Sequence, residues 1–196
     1  DLDGSPTQST DASTTRSDGL FHKLRYSVSR TQVLDEVLSL AMGISGQLAD
    51  RNLDASEKFY LGGPSGVRAY PVNEGSGSYG QLINLELRYR LPLGFSVSVF
   101  TDYGRVQVNR NNSYGGASSL NSYSLKGRGV SLTWQPWYER GYGPSFKLTY
   151  ARRIGENPNP ASTGLDQDGS LLSENDRTAN PGALDPAQLK YVHELQ

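Results

Sequence analysis

Apolar and polar side chains alternate along six segments of this chain, and each segment is long enough to form an extended strand. Successive side chains of a β-strand point to opposite faces, so strict alternation indicates a strand with one apolar and one polar face. The alternation is clearest over residues 81–91, where Ile, Leu and Tyr alternate with Asn, Glu and Arg. The pattern predicts six strands, at residues 19–30, 36–48, 81–91, 95–106, 125–136 and 144–153.

The lengths of these strands and of their connections favour one fold class. Strands in soluble sheets average about five or six residues, whereas a tilted strand that crosses a bilayer needs about 9 to 11. The predicted connections alternate between short, at 31–35, 92–94 and 137–143, and long, at 49–80 and 107–124. Short turns on one side and long loops on the other are typical of outer-membrane barrels. The sequence therefore predicts an all-β, antiparallel transmembrane β-barrel with one face in contact with lipid.

Aromatic side chains cluster near the predicted short turns. Such residues are enriched where a membrane protein meets the bilayer interface. We expect this position for Trp134, Trp137, Tyr138, Tyr142 and Tyr89.

The connection over residues 57–80 has an unusual composition for a surface loop. It combines six glycines and two prolines with Phe59, Leu61 and Tyr70 around one arginine, Arg68. Glycine permits left-handed turns and proline fixes φ, so the segment should reverse direction at defined points. Its apolar side chains need a surface to pack against. We predict a long loop that is inserted into the barrel lumen with Arg68 at its tip.

Overall composition removes several classes of function. The chain has no cysteine, which rules out disulfides and thiolate chemistry, and its net charge of −1 gives no general attraction to nucleic acid. His22 and His193 are far apart in sequence, so neither a metal site nor a Ser/His catalytic pair is expected. No apolar run is long enough for a membrane helix. We therefore expect no enzyme activity, no cofactor and no bound metal.

Two motifs resemble those of a known family. Val67, Arg68, Ala69 and Tyr70 occupy the loop tip, and Phe100, Asp102 and Gly104 follow on the second strand after it. Together with the intervening strands they resemble the barrel of the haemolysin secretion/activation proteins, the two-partner secretion transporters of Gram-negative outer membranes. The family usually has Gly where Ala69 stands. The resemblance implies a sixteen-stranded barrel, periplasmic docking domains ahead of it, and ATP-independent export of a large partner polypeptide of the haemolysin or adhesin type.

The alternation and the motifs agree on one contact. Because side chains alternate along the strand, Asp102 faces the lumen if Val97 and Val99 face outward. There a guanidinium can bind its carboxylate through two parallel hydrogen bonds. We predict that Arg68 pairs with Asp102, with Phe100 and Tyr70 packed around the pair and Glu86 as a candidate member of the network. The alternative is that Arg68 is an ordinary solvated loop residue.

The ends of the chain fit the barrel pattern less well. Residues 1–18 predict an exposed loop, residues 19–153 the carboxy-terminal part of the barrel, and residues 154–196 an irregular loop with an atypical tail, helical in pattern over 185–196. Six strands are too few for a sixteen-stranded barrel. We expect the docking domains, the remaining strands and any export signal to lie on a missing amino-terminal part.

Three functions remain open from the sequence. The first is an outer-membrane transporter of a secreted polypeptide, with lipid as its other partner. The second is a passive porin-like or structural barrel, or a non-functional fragment. The third is an outer-membrane hydrolase, for which no persuasive nucleophile and base are present.

Overall fold

Eight strands make up the computed structural model of the chain, which describes residues 11, 13, 15–72, 74–137 and 143–160. Six of them are long, and the other two are short and pair with each other inside a loop. Their bounds are β1 Lys23–Val33, β2 Leu38–Ala49, β3 Phe59–Tyr60, β4 Ser76–Gly77, β5 Tyr79–Arg90, β6 Phe95–Gln107, β7 Ser122–Trp134 and β8 Phe146–Arg153.

The six long strands form one antiparallel sheet in the order β1-β2-β5-β6-β7-β8. Every long strand pairs with its next long neighbour in sequence, as in an up-and-down barrel wall. β1 and β8 do not pair with each other within the described residues, so this sheet is open. The all-β antiparallel fold predicted from the alternation is confirmed.

Several predicted strand ends were wrong by a few residues. β1 begins at Lys23 rather than residue 19 and continues through Val33, a stretch whose composition indicated a turn. β7 begins at Ser122, inside the predicted polar loop, because residues 122–124 pair with residues 105–107 of β6. Cross-strand hydrogen bonds here extend a strand through Ser and Gln, whose polarity indicated a loop.

The short turns lie together at one end of the sheet, which we call the short-turn end, and the long loops lie at the other, the long-loop end. The β5–β6 turn is tight because Leu93 and Gly94 both adopt positive φ, at 59° and 78°. Beside it, the Trp134 ring stacks on Phe95 and Phe146, with ring centroids 5.6 and 5.8 Å away. Tyr138 and Tyr142, expected near the same end, lie outside the described residues.

The two faces of the sheet differ in what packs against them. On the outer face, the long strands expose many large apolar side chains, including Ile44, Ile83, Val99, Val130 and Leu148. On the inner face, the connection over residues 50–78 folds back against β5, β6 and β7. Its apolar residues form the buried core with that face, and the cluster comprises Leu61, Val67, Tyr70, Leu82, Val106, Tyr123 and Leu125.

None of the helices in the described part of the chain is both long and apolar enough to cross a membrane. The chain divides into two compact units, Asp1–Gly155 and Glu156–Gln196. The expected tail helix over 185–196 lies outside the described residues.

Candidate functional site

The loop over residues 50–78 is held in shape by its own backbone. The amide of Leu61 donates to the carbonyls of Glu74 and Gly75, and the amide of Val67 donates to the Leu61 carbonyl at 2.7 Å. Gly63 has a φ of 108°, a conformation that favours glycine, and its amide donates to the carbonyl of Tyr70 at 2.8 Å. These bonds fold residues 62–70 into a compact tip that presents Arg68 to the sheet.

Arg68 binds Asp102 through both its side chain and its backbone. Nε and Nη2 of Arg68 donate to the two carboxylate oxygens of Asp102 at 3.0 and 2.9 Å. The backbone amide of Arg68 donates to Oδ2 of the same carboxylate at 3.0 Å. The Asp102 side chain has no exposed surface and that of Arg68 is 10% exposed. The structure thus brings together the two residues that the motifs pair, and it fixes the loop backbone as well as the guanidinium.

A second carboxylate completes the contacts of Arg68. Nη1 of Arg68 donates to Oε2 of Glu86 at 2.5 Å, and Nη2 of Arg88 donates to Oε1 of Glu86 at 2.9 Å. Two carboxylates and two guanidiniums therefore form a charge-balanced cluster. A buried charge is costly unless it is paired and hydrogen-bonded, and here every charge has a partner.

Asn84 is a member of this site that no sequence motif identified. Its Nδ2 donates to Asp102 Oδ1 at 2.8 Å and to the carbonyl of Gly66 at 2.9 Å. The register pairs Asn84 directly with Asp102 across β5 and β6. This placement was the available signal, since a residue opposite Asp102 on the same face must lie beside it.

Phe100 forms the floor under the guanidinium. The Cζ atom of Arg68 lies 3.5 Å from the centroid of the Phe100 ring, a close cation–π contact. Phe100 is 5% exposed. Phe100 and Asp102 lie two residues apart on the inner face of β6, so one strand supplies both the stacking surface and the anion.

Glycines on β6 and β7 make room for the other tip residues. A Cβ at Gly104 would lie 2.7 Å from Leu61 Cδ2, and a Cβ at Gly127 would lie 2.8 Å from Ala69 Cβ. Real side chains cannot approach so closely without a shift of the neighbour. Val67 is fully buried in the same region. The motif glycine, Gly104, thus allows the loop to lie directly against β6.

Tyr70, which was expected to pack around the ion pair, contributes to the apolar core beneath the loop. It is 3% exposed and belongs to the cluster with Leu61 and Leu125. Arg153 of β8 lies over its ring, with Cζ 5.6 Å from the centroid.

The base of the loop has a separate set of polar contacts. Gln47 of β2 is fully buried, donates to the carbonyl of Glu57 at 3.0 Å and accepts from Nε of Arg25 at 2.6 Å. The Glu57 carboxylate forms an ion pair with Lys23. We call these four residues, Lys23, Arg25, Gln47 and Glu57, the base clamp. It fixes the point where the loop leaves the sheet.

Residues at the long-loop end of the first hairpin also contact the loops. Asn52 donates to the carbonyls of Thr15 and Asn111 at 2.6 and 2.8 Å and so joins two segments there. Asp50 accepts from the backbone and ring of His22, and these hydrogen bonds lower the pKa of the Asp50 carboxyl. Within the described residues no group of three His, Cys, Asp or Glu side chains is arranged to hold a metal ion.

Comparison with known proteins agrees with the fold and the motifs. A sequence model of the family described as haemolysin secretion/activation protein ShlB/FhaC/HecB matches residues 3–131. The chain is also 36% identical over 118 residues to the heme/hemopexin transporter protein HuxB of Haemophilus influenzae, in strains Rd and 86-028NP. That match covers 58% of this chain and 21% of the relative, so the chain spans about a fifth of the relative's length.

The chain therefore belongs to the haemolysin secretion/activation protein family, the transporters of two-partner secretion. The match includes both motif segments, from Val67 to Tyr70 and from Phe100 to Gly104, and it ends within β7. The roles of the motif residues in transport stay predictions.

Proposed function

We propose that this chain is part of the barrel wall of an outer-membrane transporter that exports a large partner polypeptide without ATP. The observation that carries the proposal is the Arg68 tip, which is bound to Asp102 and Glu86 on the inner face of the sheet. Family membership supplies the transport class. Docking domains and further strands, on parts of the polypeptide beyond this chain, complete the proposed transporter.

The outer face supports a lipid environment. Soluble proteins rarely expose one contiguous apolar patch larger than a few hundred Å². Here all six long strands expose large apolar side chains on the same face. Examples from five of the strands are Ile44 of β2, Leu85 of β5, Val99 of β6, Leu132 of β7 and Tyr150 of β8. The hydrocarbon of a bilayer covers such a face without cost, so we place these strands across the outer membrane.

The inner face supports a role for the loop inside a lumen. Charge-assisted hydrogen bonds of the kind that Arg68 makes contribute about 1.5 to 3 kcal/mol each. The core formed by Leu61 and Val67 adds apolar contact to the same loop position. The loop is held by both, and its tip lies where a polypeptide moving through the lumen has to pass.

Secretion by tip variants tests the proposal. The full-length polypeptide that carries this chain is co-expressed in a Gram-negative host with a large candidate partner polypeptide, and secreted partner is measured in the medium. Arg68→Ala and Asp102→Ala should each lose most secretion while the barrel is still inserted, as judged by heat-modifiable migration of the outer-membrane fraction. Full secretion in both variants would contradict the proposal.

A matched control separates the tip from a general loss of charge. Arg128 lies on the outward face of β7, is exposed, and has no ion pair within the described residues. Arg128→Ala should leave secretion near the level of the unaltered protein.

A further inference from the structure

Four cations lie together on the outward face of the sheet, toward the long-loop end. All four are exposed and come from three adjacent strands, as Arg105 of β6, Lys126 and Arg128 of β7, and Arg152 of β8. The register pairs Arg128 directly with Arg152. It pairs Lys126 with Tyr103, which shares the outward face of β6 with Arg105. We call these four residues the outer cation patch.

The patch has no counter-charge on its own face. The outward positions of the described strands β5, β6, β7 and β8 include no Asp or Glu. The four cations make no ion pair in the described part of the chain. Nε of Arg105 donates to Ser122 Oγ at 3.3 Å, and Nζ of Lys126 lies 5.9 Å from the Tyr103 ring centroid. The patch therefore carries an excess of positive charge that an anion from outside the chain can neutralise.

An apolar surface continues from the patch toward the short-turn end. Next to the pair of Arg128 and Arg152, the register places three outward rows across β6, β7 and β8. In order, the rows are Val99, Val130 and Tyr150, then Val97, Leu132 and Leu148, then Phe95, Trp134 and Phe146. Cations at one end and apolar rows at the other fit an amphiphile that has anionic headgroups and several acyl chains.

The depth of the patch in the bilayer favours a lipid anion. Aromatic side chains are enriched at the bilayer interface, so the row with Trp134 marks the interface at the short-turn end. With a rise of about 3.3 Å per residue and a strand tilt of about 40°, Arg128 lies about 15 Å above that row. The apolar band of such barrels is about 25 Å tall. Arg128 and Arg152 thus begin below the headgroups and extend toward them, and a cation at that depth is costly unless an anion pairs with it.

We propose that the outer cation patch binds the phosphate groups of a phosphorylated glycolipid in the outer leaflet, with the acyl chains of that lipid on the apolar rows. This assignment rests on the function proposed above, because a barrel in the outer membrane has its long loops on the outside. Guanidinium groups bind phosphate oxygens through paired, charge-assisted hydrogen bonds. β6 and β8 are about 10 Å apart, so the patch is wide enough to contact two phosphates. We therefore expect it to favour a glycolipid with two phosphates over a phospholipid with one.

Lipid binding by the purified protein tests the patch. The full-length polypeptide is kept in a neutral detergent, and bound lipid is counted by native mass spectrometry. The probes are bisphosphorylated lipid A, the same lipid after removal of its phosphates, and phosphatidylglycerol. We expect bisphosphorylated lipid A to bind about ten-fold more tightly than either of the other two. Inorganic phosphate should compete only weakly, because it lacks the acyl chains that cover the apolar rows.

Charge removal provides the second arm. Lys126→Gln combined with Arg152→Gln should weaken binding of bisphosphorylated lipid A about ten-fold and leave binding of the dephosphorylated form unchanged. The matched control is Arg90→Gln with Lys147→Gln, which removes one arginine and one lysine that are exposed on the inner face of β5 and β8. This control should keep the preference for phosphate. Heat-modifiable migration shows that each variant still forms a barrel.

Equal binding of the phosphorylated and dephosphorylated forms, equal binding of phosphatidylglycerol, or binding that survives the loss of Lys126 and Arg152 would overturn the inference. Secretion by the unaltered protein is measured separately. Normal secretion without a preference for phosphate contradicts the lipid site and leaves the transporter proposal standing. Absent secretion contradicts the transporter proposal, and phosphate-dependent binding then still supports the lipid site, because it is measured on the purified protein. The secretion control Arg128→Ala keeps three of the four cations and lies on the face opposite the loop tip.

Discussion

The guanidinium of Arg68 lies on the ring of Phe100, with Cζ 3.5 Å from the ring centroid, while its nitrogens bind the carboxylates beside that ring. The cation is thus held from below by an aromatic face and at its edge by two anions. Since Phe100 and Asp102 both come from β6, the position of that strand determines where the loop tip lies.

The aromatic floor predicts a graded effect of substitution. Phe100→Leu keeps an apolar side chain but removes the ring, and it should cost about 0.5 to 2 kcal/mol of loop binding. Trypsin cleavage after Arg68 reports release of the tip, because the bond is protected while the side chain is buried. We expect cleavage to rise several-fold in Phe100→Leu and to stay low in Phe100→Tyr. Equal cleavage of both variants and the unaltered protein would show that the stacking contributes nothing.

The two carboxylates should differ in importance. Asp102 accepts four hydrogen bonds, three from Arg68 and one from Asn84, whereas Glu86 accepts one each from Arg68 and Arg88. Loss of charge at a buried pair costs roughly 3 kcal/mol or more. Asp102→Asn should therefore release the tip and reduce secretion more than Glu86→Gln. The comparison is made by tryptic protection of Arg68 and by secretion, and the reverse order would contradict this account of the site.

The shape of the guanidinium should matter as well as its charge. Arg68→Lys keeps one positive charge but cannot span Asp102 and Glu86 with separate nitrogens in a planar fork. Secretion by Arg68→Lys is expected to lie well below that of the unaltered protein. If lysine restored full secretion, charge alone would explain the motif.

Close packing at Gly104 gives a prediction that involves no charge. An added methyl at this position would lie 2.7 Å from Leu61 Cδ2 and 3.1 Å from Val67 Cγ2, so Gly104→Ala must shift these two buried loop side chains. Overpacking of this kind costs about 1 to 3 kcal/mol. We expect faster tryptic cleavage of the loop in an otherwise inserted barrel. Gly115→Ala is the control, since no atom lies within 4 Å of the position that its methyl group would take, and it should behave as the unaltered protein.

The base clamp should act separately from the tip. Gln47→Leu removes the hydrogen bonds to Glu57 and Arg25, so trypsin should cut sooner after Lys58, close to the loop base, while cleavage after Arg68 changes little. Gln81→Leu, at an exposed position on β5, serves as control. Equal acceleration at both sites would mean that the loop is released as one unit.

The alternation of side chains predicted the strands of the sheet well, but it did not predict which residues of the inner face the loop packs against. The pattern around Val97 and Val99 placed Phe100 and Asp102 on the inner face, where the structure has them. Alternation reports that two faces differ, but it does not identify what lies against each face. The inward Val106 and Leu125 were therefore not recognised as the surface that holds the loop.

The polar residues of the site could be predicted only where they belong to a motif or carry a charge. Arg68 and Asp102 were identified because their motifs resemble those of a family, and Glu86 because it shares their face. Asn84 and Gln47 are uncharged, and their importance depends on strand register and burial. Register requires knowledge of how far each strand extends, and the ends of β1 and β7 were the least accurate part of the prediction.

The most direct test of the central claim, that Arg68 and Asp102 act together to hold the loop for secretion, is a double-mutant cycle. Secretion per inserted barrel is measured for the unaltered protein, Arg68→Ala, Asp102→Ala and the double variant. If the two residues act through their mutual contact, the double variant should secrete about as much as the worse single variant. Losses that multiply independently, or full secretion by either single variant, would contradict the claim.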